Sequence, residues 1–336
     1  MKKVRASMGT LGVLGLEMIK MDTPPTTAYL QIYTEKRCNA NCQFCAQAKG
    51  SSADLKHIAR GMYIPYDIAL VVSRLSMAYE RGYLARACIQ TALYNTWWWD
   101  TVHLIKMIRE NCSIPISLSV FPVSNERLEV IKSLKVNEIV IPLDACTPEL
   151  FNMVKGKSTG GPYSWETHLD GIKRASGIFQ KVGTHLMIGL GETDEDAIRL
   201  IQELWKDNVN TALFSYTYIP GTQFEVAKRQ QSEIIRHFRV VQLARHLIIE
   251  KLAQYRDMRF ENNILIDLGV EEDLLLSVIE DGGAFQTTGC PDCNRPMANE
   301  TFSLMFNFPK KPEDGEKEKI KRELGLKSSI LKKDIP

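Results

Sequence analysis

The chain has 336 residues, 44% of them apolar and 24% charged, with a formal net charge of +2. That balance is ordinary for a globular protein with one large core and calls for neither nucleic acid nor a membrane as partner. No apolar run approaches the ~20 residues that cross a bilayer. The opening MKKVRASMGTLGVLGLEMIK has neither a long apolar core nor a small-residue cleavage site, so a cytoplasmic protein is expected.

Lys3 to Lys20 reads as a helix-containing cap. Beyond it, short β-rich runs alternate with helical patterns. Strands are expected at Ala28 to Thr34, Ala85 to Thr91, Ile116 to Phe121, Glu138 to Leu143, Lys181 to Ile188, Ala212 to Tyr218 and Met258 to Ile266. Helices are expected at Tyr66 to Glu80, Thr101 to Asn111, Asp194 to Asp207 and Ser232 to Tyr255. Repeated βα units give an α/β fold, and right-handed crossovers curl them into a complete or partial TIM-type barrel with its active site at the C-terminal strand ends. The chain then divides into a cap (1–27), a barrel (28–285), a cysteine-bearing segment (286–308) and a tail (309–336) rich in lysine and glutamate, read as solvated.

Eight cysteines fall as a triplet, a CxxC pair and three singles, which suits reduced, metal-binding thiols better than a disulfide framework. The triplet Cys38, Cys42 and Cys45 stands in CNANCQFC, directly after the strand at Ala28 to Thr34. Zinc loops usually pair cysteines as CxxC and recruit a second pair or histidines, which this spacing fits badly. Four-iron clusters normally take four thiolates, so three in one loop leave one iron free to hold something else. The loop resembles the CxxxCxxC of the radical S-adenosylmethionine (SAM) superfamily, in which an aromatic residue, here Phe44, precedes the third cysteine. That resemblance implies a SAM-binding 4Fe-4S cluster on the three cysteines and reductive cleavage of SAM to a 5′-deoxyadenosyl radical.

Three further segments, LDACTPELF, MIGLGET and the GT of PGTQFE, resemble biotin synthase in the same order, so the likeness covers Cys38 to Gln223. It implies Asp144 as a ligand of the SAM ribose and Phe44 as a neighbour of the adenine. On the residues alone, Asp144 reads equally as an acid at a helix N-terminus. Gly189 and Gly191 would let backbone approach a cofactor closely, while Glu192 is either a cofactor contact or, with Thr193, a helix cap.

A second cysteine pair, Cys290 and Cys293, lies in TTGCPDCNRPMANE, a metal half-site that needs further ligands. Cys88, in ARACIQTALYNTW, resembles the biotin synthase cysteine that binds a second, sulfur-donating cluster. That family's other inner cysteines are missing, with Ser117, Ser119 and Thr184 in their regions, and MRFENNILID offers no evident arginine ligand. A barrel that loses those ligands and gains CPDCNRP resembles the archaeal-type two-component lipoyl synthases. That resemblance implies a second 4Fe-4S cluster sacrificed as sulfur source, assigned here to Cys88, Cys146, Cys290 and Cys293, with the CxxC as a C-terminal lid and Cys146 facing the barrel mouth. A structural zinc clip is the alternative for this set.

The resemblance further implies sulfur insertion into an octanoyl, or monothiolated octanoyl, lysine of a lipoyl-carrying protein domain, a companion radical SAM lipoyl synthase subunit and a low-potential electron donor. Sulfur insertion into a small molecule, and non-catalytic iron–sulfur carriage, stay open. Asn294 and Arg295 are candidates to orient the second cluster, with a direct cluster or substrate contact the alternative for Arg295. Tyr94 and Trp97 to Trp99 pack a helix or line an apolar slot, Cys112 is structural, and His57 and His185 receive no metal role.

Overall fold

The structure, a computed structural model, describes residues 1–59, 61–225, 230–295 and 305–325. The proline that closes CPDCNRP, the segment 297–304 and the end of the charged tail lie outside those residues. In KVRAS, Val4 and Ala6 are fully buried. The segment forms a strand, β1 (Lys3–Ser7), where the sequence suggested a cap, and the Ser7 hydroxyl then caps the short α1 (Met8–Val13). β2 (Thr27–Ile32) is buried at every residue, as a strand covered on both faces must be. A hairpin that the sequence did not announce follows, β3 (His57–Ile58) and β4 (Gly61–Asp67).

From α2 (Ile68–Glu80) onward strands and helices alternate: β5 (Arg86–Gln90), α3 (Trp97–Asn111), β6 (Ile116–Ser119), α4 (Asn125–Ser133), β7 (Glu138–Val140), α5 (Pro148–Val154), α6 (Trp165–Ser176), β8 (Val182–Ile188), α7 (Asp194–Lys206), β9 (Val209–Ser215) and α8 (Gln231–Ile249). β2 pairs with β5, and then each of β5 to β8 with its successor, all in parallel. β1 and β4 extend this sheet with antiparallel pairs, giving nine strands in the order β3-β4-β1-β2-β5-β6-β7-β8-β9. Tyr63 of β4 and Phe214 of β9, near opposite ends of that order, line one cavity. The sheet is therefore rolled into a partial TIM-type barrel, as the βα alternation implied.

The last expected barrel strand, Met258 to Ile266, is instead a separate hairpin of β10 (Arg259–Glu261) and β11 (Ile264–Asp267). Asn262 and Asn263 turn it with φ of 49° and 63°, the left-handed pair that a tight hairpin turn requires. After α9 (Glu272–Asp281), the tail is not wholly solvated. It forms α10 (Asp314–Glu323), which buries Ile320 and pairs Glu323 with the buried Arg239 of α8 at 2.8 Å. No helix among the described residues is long and apolar enough to cross a membrane.

Candidate active site

The loop after β2 is fastened from within. Arg37 donates to the carbonyls of Ala46 and Ala53 at 2.8 and 2.7 Å, the Cys38 amide donates to the Gln47 carbonyl at 2.9 Å, and the buried Gln47 and Gln31 side chains pair at 2.8 Å. Neighbouring strands hold it too. The Asn39 amide donates to the Leu93 carbonyl at 2.7 Å, and the Leu93 amide to the Cys38 sulfur at 3.2 Å. So held, Cys38, Cys42 and Cys45 open with Phe44 and Asp144 on an upper cavity of about 270 Å³ at the C-terminal strand ends.

Loss of solvent raises all three thiols, Cys45 to about 11 and Cys42 further, so each stays protonated at neutral pH until a bound cation offsets the cost. Three thiols opening on a space of this size, with no fourth cysteine lining it, suit a polynuclear cluster with a small molecule beside it. The donor set thus fits a SAM-binding iron–sulfur centre. Asp144 reaches the same cavity in a left-handed conformation, φ 68°, and its carboxylate pairs with Lys155 at 2.8 Å. Lys155 was not singled out in the sequence; it sits on α5's C-terminal side, where only the fold brings it to Asp144.

Glu192 does not face this cavity, which corrects its candidacy as a cofactor contact. Its side chain is fully buried and accepts the amides of Gly189, Leu190 and Gly191, and His237 bonds it through Nε2 at 2.8 Å. With both oxygens engaged, it shapes the turn after β8. Gly189 and Gly191 supply that turn's left-handed residues, with φ of 104° and 138°.

A second thiol set lies at the opposite end of the barrel. Cys88 of β5 stands in register with Tyr29 and Ser117, and opens with Cys290 and Cys293 on a lower cavity of about 250 Å³. The CxxC turn is laced to the N-terminal strand ends. Thr26 N–H donates to the Asn294 side chain at 3.0 Å, Arg86 to the Pro291 carbonyl at 2.9 Å and Asn210 to the Gly289 carbonyl at 2.7 Å. The expected C-terminal lid is therefore a floor under the barrel. Burial raises the Cys290 thiol strongly and Cys88 to about 12. Arg295 stacks its guanidinium on Phe214, 3.8 Å from the ring centre, and the buried Glu138 accepts from Ser117 at 3.3 Å. Glu138 was not singled out beforehand, since burial of a carboxylate has no local signature.

Cys146 belongs to neither set. It is buried on the outer side of the sheet, where it lines a space between α5, α6 and α7 with Trp165 and Leu200. The left-handed Asp144 takes the chain off the strand path two residues earlier, so Cys146 does not share the inward direction of the barrel residues. Trp97 is buried against Phe121 with ring centres 4.4 Å apart, and Arg127 covers Trp97 and Trp98, so these two pack a helix while Trp99 is exposed. Among the described residues no three His, Cys, Asp or Glu side chains gather at a single metal-ion position.

The family model described as the Radical SAM superfamily matches residues 32–204. A biotin synthase from Persephonella marina (strain DSM 14350 / EX-H1) is 24% identical over 196 residues, which cover 57% of this chain and 55% of the relative. The chain thus spans about half the length of the curated relative it matches. Among solved structures, the FeFe-hydrogenase maturase HydG from Carboxydothermus hydrogenoformans aligns with a TM-score of 0.51 at 16% identity, over 67% of this chain and 51% of that one. Methylornithine synthase aligns with a TM-score of 0.50 at 12% identity, over 69% and 70% of the two chains. At such identities these two speak for the fold alone.

Proposed function

The chain belongs to the radical SAM superfamily, and from that premise we propose that it inserts sulfur at an unactivated carbon of a protein-bound octanoyl or monothiolated octanoyl lysine, as one subunit of a two-component lipoyl synthase. The observation that carries this reading is the pair of thiol sets, Cys38, Cys42 and Cys45 above and Cys88, Cys290 and Cys293 below, opening on cavities that share a wall. The fold implies a 4Fe-4S cluster and SAM, which when bound supply hydrogen abstraction from C–H bonds that no side-chain base can deprotonate.

In this reading the upper three cysteines are the ligands of that cluster, with Phe44 and Asp144 beside the adenine and ribose. The lower three hold an auxiliary 4Fe-4S cluster as sulfur source. The rest of the chain orients and excludes. Phe214, Ile58 and Ala59 keep the middle of the lumen apolar, and the CxxC turn closes its floor, so a chain entering from the mouth meets a water-poor passage between the two sets. A lipoyl-carrying domain then docks at the mouth, beside a companion radical SAM subunit and a low-potential electron donor, in a reducing cytoplasmic setting that keeps free thiols. A second reading, sulfur insertion into a small carboxylate, is favoured by one observation, the Arg295 guanidinium in the lower cavity.

Anaerobic reconstitution tests both layers. Two clusters require about eight iron and eight sulfide per chain, one cluster about four of each. Incubation with SAM, dithionite and octanoyl-lysine or monothiolated peptides should then add sulfur detectable by mass spectrometry. Loading at the lower figure removes the auxiliary cluster from the reading, and SAM cleavage without added sulfur removes the substrate.

A further inference from the structure

Near the floor of the barrel one row of residues runs in register across four adjacent strands: Tyr29, Cys88, Ser117 and Glu138. Its last member is a carboxylate set among thiols. Glu138 lines the lower cavity with Cys88, Cys290 and Cys293, and only 3% of it is exposed. Ser117 joins it to them, since the serine hydroxyl bonds the Cys290 thiol and also reaches Glu138 Oε2 at 3.3 Å. The carboxylate is close enough for its charge to help raise both the Cys88 and the Cys290 thiol.

A carboxylate taken out of water is stable when it is paired, fully hydrogen-bonded or bound to a metal. The pairing of Glu138 is incomplete. Arg86 Nη1 stands 3.9 Å from Oε2, outside hydrogen-bond reach, and gives its bond to Ser117 at 3.1 Å. Oε1 bonds nothing among the described residues. It borders the cavity beside Gly183, where a Cβ would stand 3.7 Å from it. The hydroxyls nearby are already committed: Tyr29 to Cys293 and the Arg295 amide, Tyr63 to Gln90, and Ser117 to Arg86 and Glu138. Three thiols leave one corner of a four-iron cluster without a protein ligand, and such clusters accept ligands other than thiolate.

Resting on the two-cluster reading above, we propose that Glu138 is the fourth protein ligand of the lower cluster, binding its remaining iron through Oε1. The site is then three thiolates and one carboxylate, with Arg86 and Arg295 as counter-charges at its edge. Carboxylate oxygen is a harder donor than thiolate sulfur. That corner therefore differs from the other three in its spectrum and in how firmly it keeps its iron.

The test uses the full-length chain bearing Cys38→Ala, Cys42→Ala and Cys45→Ala, reconstituted anaerobically with Mössbauer-active iron and sulfide so that the lower cluster is read alone. It should hold about four iron, one of them with the distinct isomer shift of an oxygen-ligated site. Glu138→Cys should merge that component with the others. Glu138→Gln, which keeps the shape and the Ser117 bond, should erase it and leave about three iron per chain after chelator challenge. Ser117→Ala should leave the component in place. Urea unfolding of the metal-free proteins separates a ligand from a merely structural carboxylate, which would move the Glu138→Gln midpoint and not the spectrum. An isomer shift unaltered in Glu138→Gln overturns the inference while leaving two clusters standing, as does a component that vanishes in Ser117→Ala instead. Iron well below about four, in a chain whose circular dichroism shows the native fold, overturns the two-cluster reading and this inference with it. Should the alanine changes disturb the fold, the same Glu138 variants are compared with every cysteine present, against about eight iron per chain.

Discussion

The Tyr29 hydroxyl lies 3.3 Å from the Cys293 sulfur, joining the first parallel strand to the CxxC turn across 264 residues. Its oxygen also accepts the Arg295 amide at 2.8 Å, so the hydroxyl proton is free to point at sulfur. One phenol therefore fixes both the thiol and the residue two places beyond it. Tyr29→Phe keeps the ring packing and deletes both bonds, one of which leaves the part-buried Arg295 N–H unpaired. The expected cost is about 1–2 kcal/mol in chemical unfolding, together with faster loss of iron from the lower site on chelator challenge. Unchanged stability and unchanged iron loss would show that the floor is held by the Asn294, Arg86 and Asn210 side-chain bonds alone.

The two thiol sets and the outlying Cys146 make separable predictions for metal content. Cys290→Ala should lower iron by about four per chain and leave SAM cleavage in place. Cys146→Ala should leave iron unaltered, because its thiol opens on the helical layer outside the barrel, and should cost only about 1 kcal/mol of packing. Iron lost equally in both variants would return Cys146 to the ligand set.

Much of this arrangement was legible in advance, and the failures share a cause. The parallel strands announced themselves because each is a short buried run between helical patterns, and the CxxxCxxC loop needs only local spacing. β1 and the β3–β4 hairpin were silent. KVRAS is too short to show a period, and Pro65 within GMYIPYD argues against a strand until its antiparallel partner is known. In ENNI the Asn262–Asn263 pair was an available turn signal, and heeding it would have split the last expected strand. The fate of Glu192 was out of reach, since the histidine that engages it is 45 residues away. Cys146 misled because following a C-terminal strand end was taken to mean facing the mouth, whereas the left-handed Asp144 turns the chain off the strand path two residues before it.

Asp144 faces the upper cavity while Lys155 holds one of its oxygens. Asp144→Asn keeps the shape and removes the charge. Lys155 retains its bond to the Pro142 carbonyl, so the fold should persist. If the carboxylate accepts from ribose hydroxyls, SAM affinity should fall about 10-fold, the equivalent of one charge-assisted hydrogen bond. Equilibrium binding to the reconstituted protein measures it, and an unaltered Kd would remove Asp144 from the SAM site.

His237 on α8 sits between Glu192 and Asp194, bonding the first at 2.8 Å through Nε2 and the second through Nδ1. The two carboxylates overcome the burial that would otherwise discharge the ring, lifting its pKa from 6.5 to about 9, and the same contacts hold Glu192 and Asp194 below their ordinary values. The folded state therefore binds the imidazole proton more tightly than the unfolded chain does. The histidine's contribution to stability is whole below pH 6.5 and disappears as the pH rises through about 9. That of the carboxylates is whole above their ordinary values of 4.5 and 3.8 and disappears as the pH falls through the lower folded-state values. The cluster should stabilise most between about pH 4.5 and 6.5, by roughly 3 kcal/mol from the histidine alone. In His237→Gln, which bonds without charge, the alkaline loss between pH 6.5 and 9 should flatten. Urea unfolding of both proteins across that range is the measurement, and parallel declines would assign the alkaline limb to other groups.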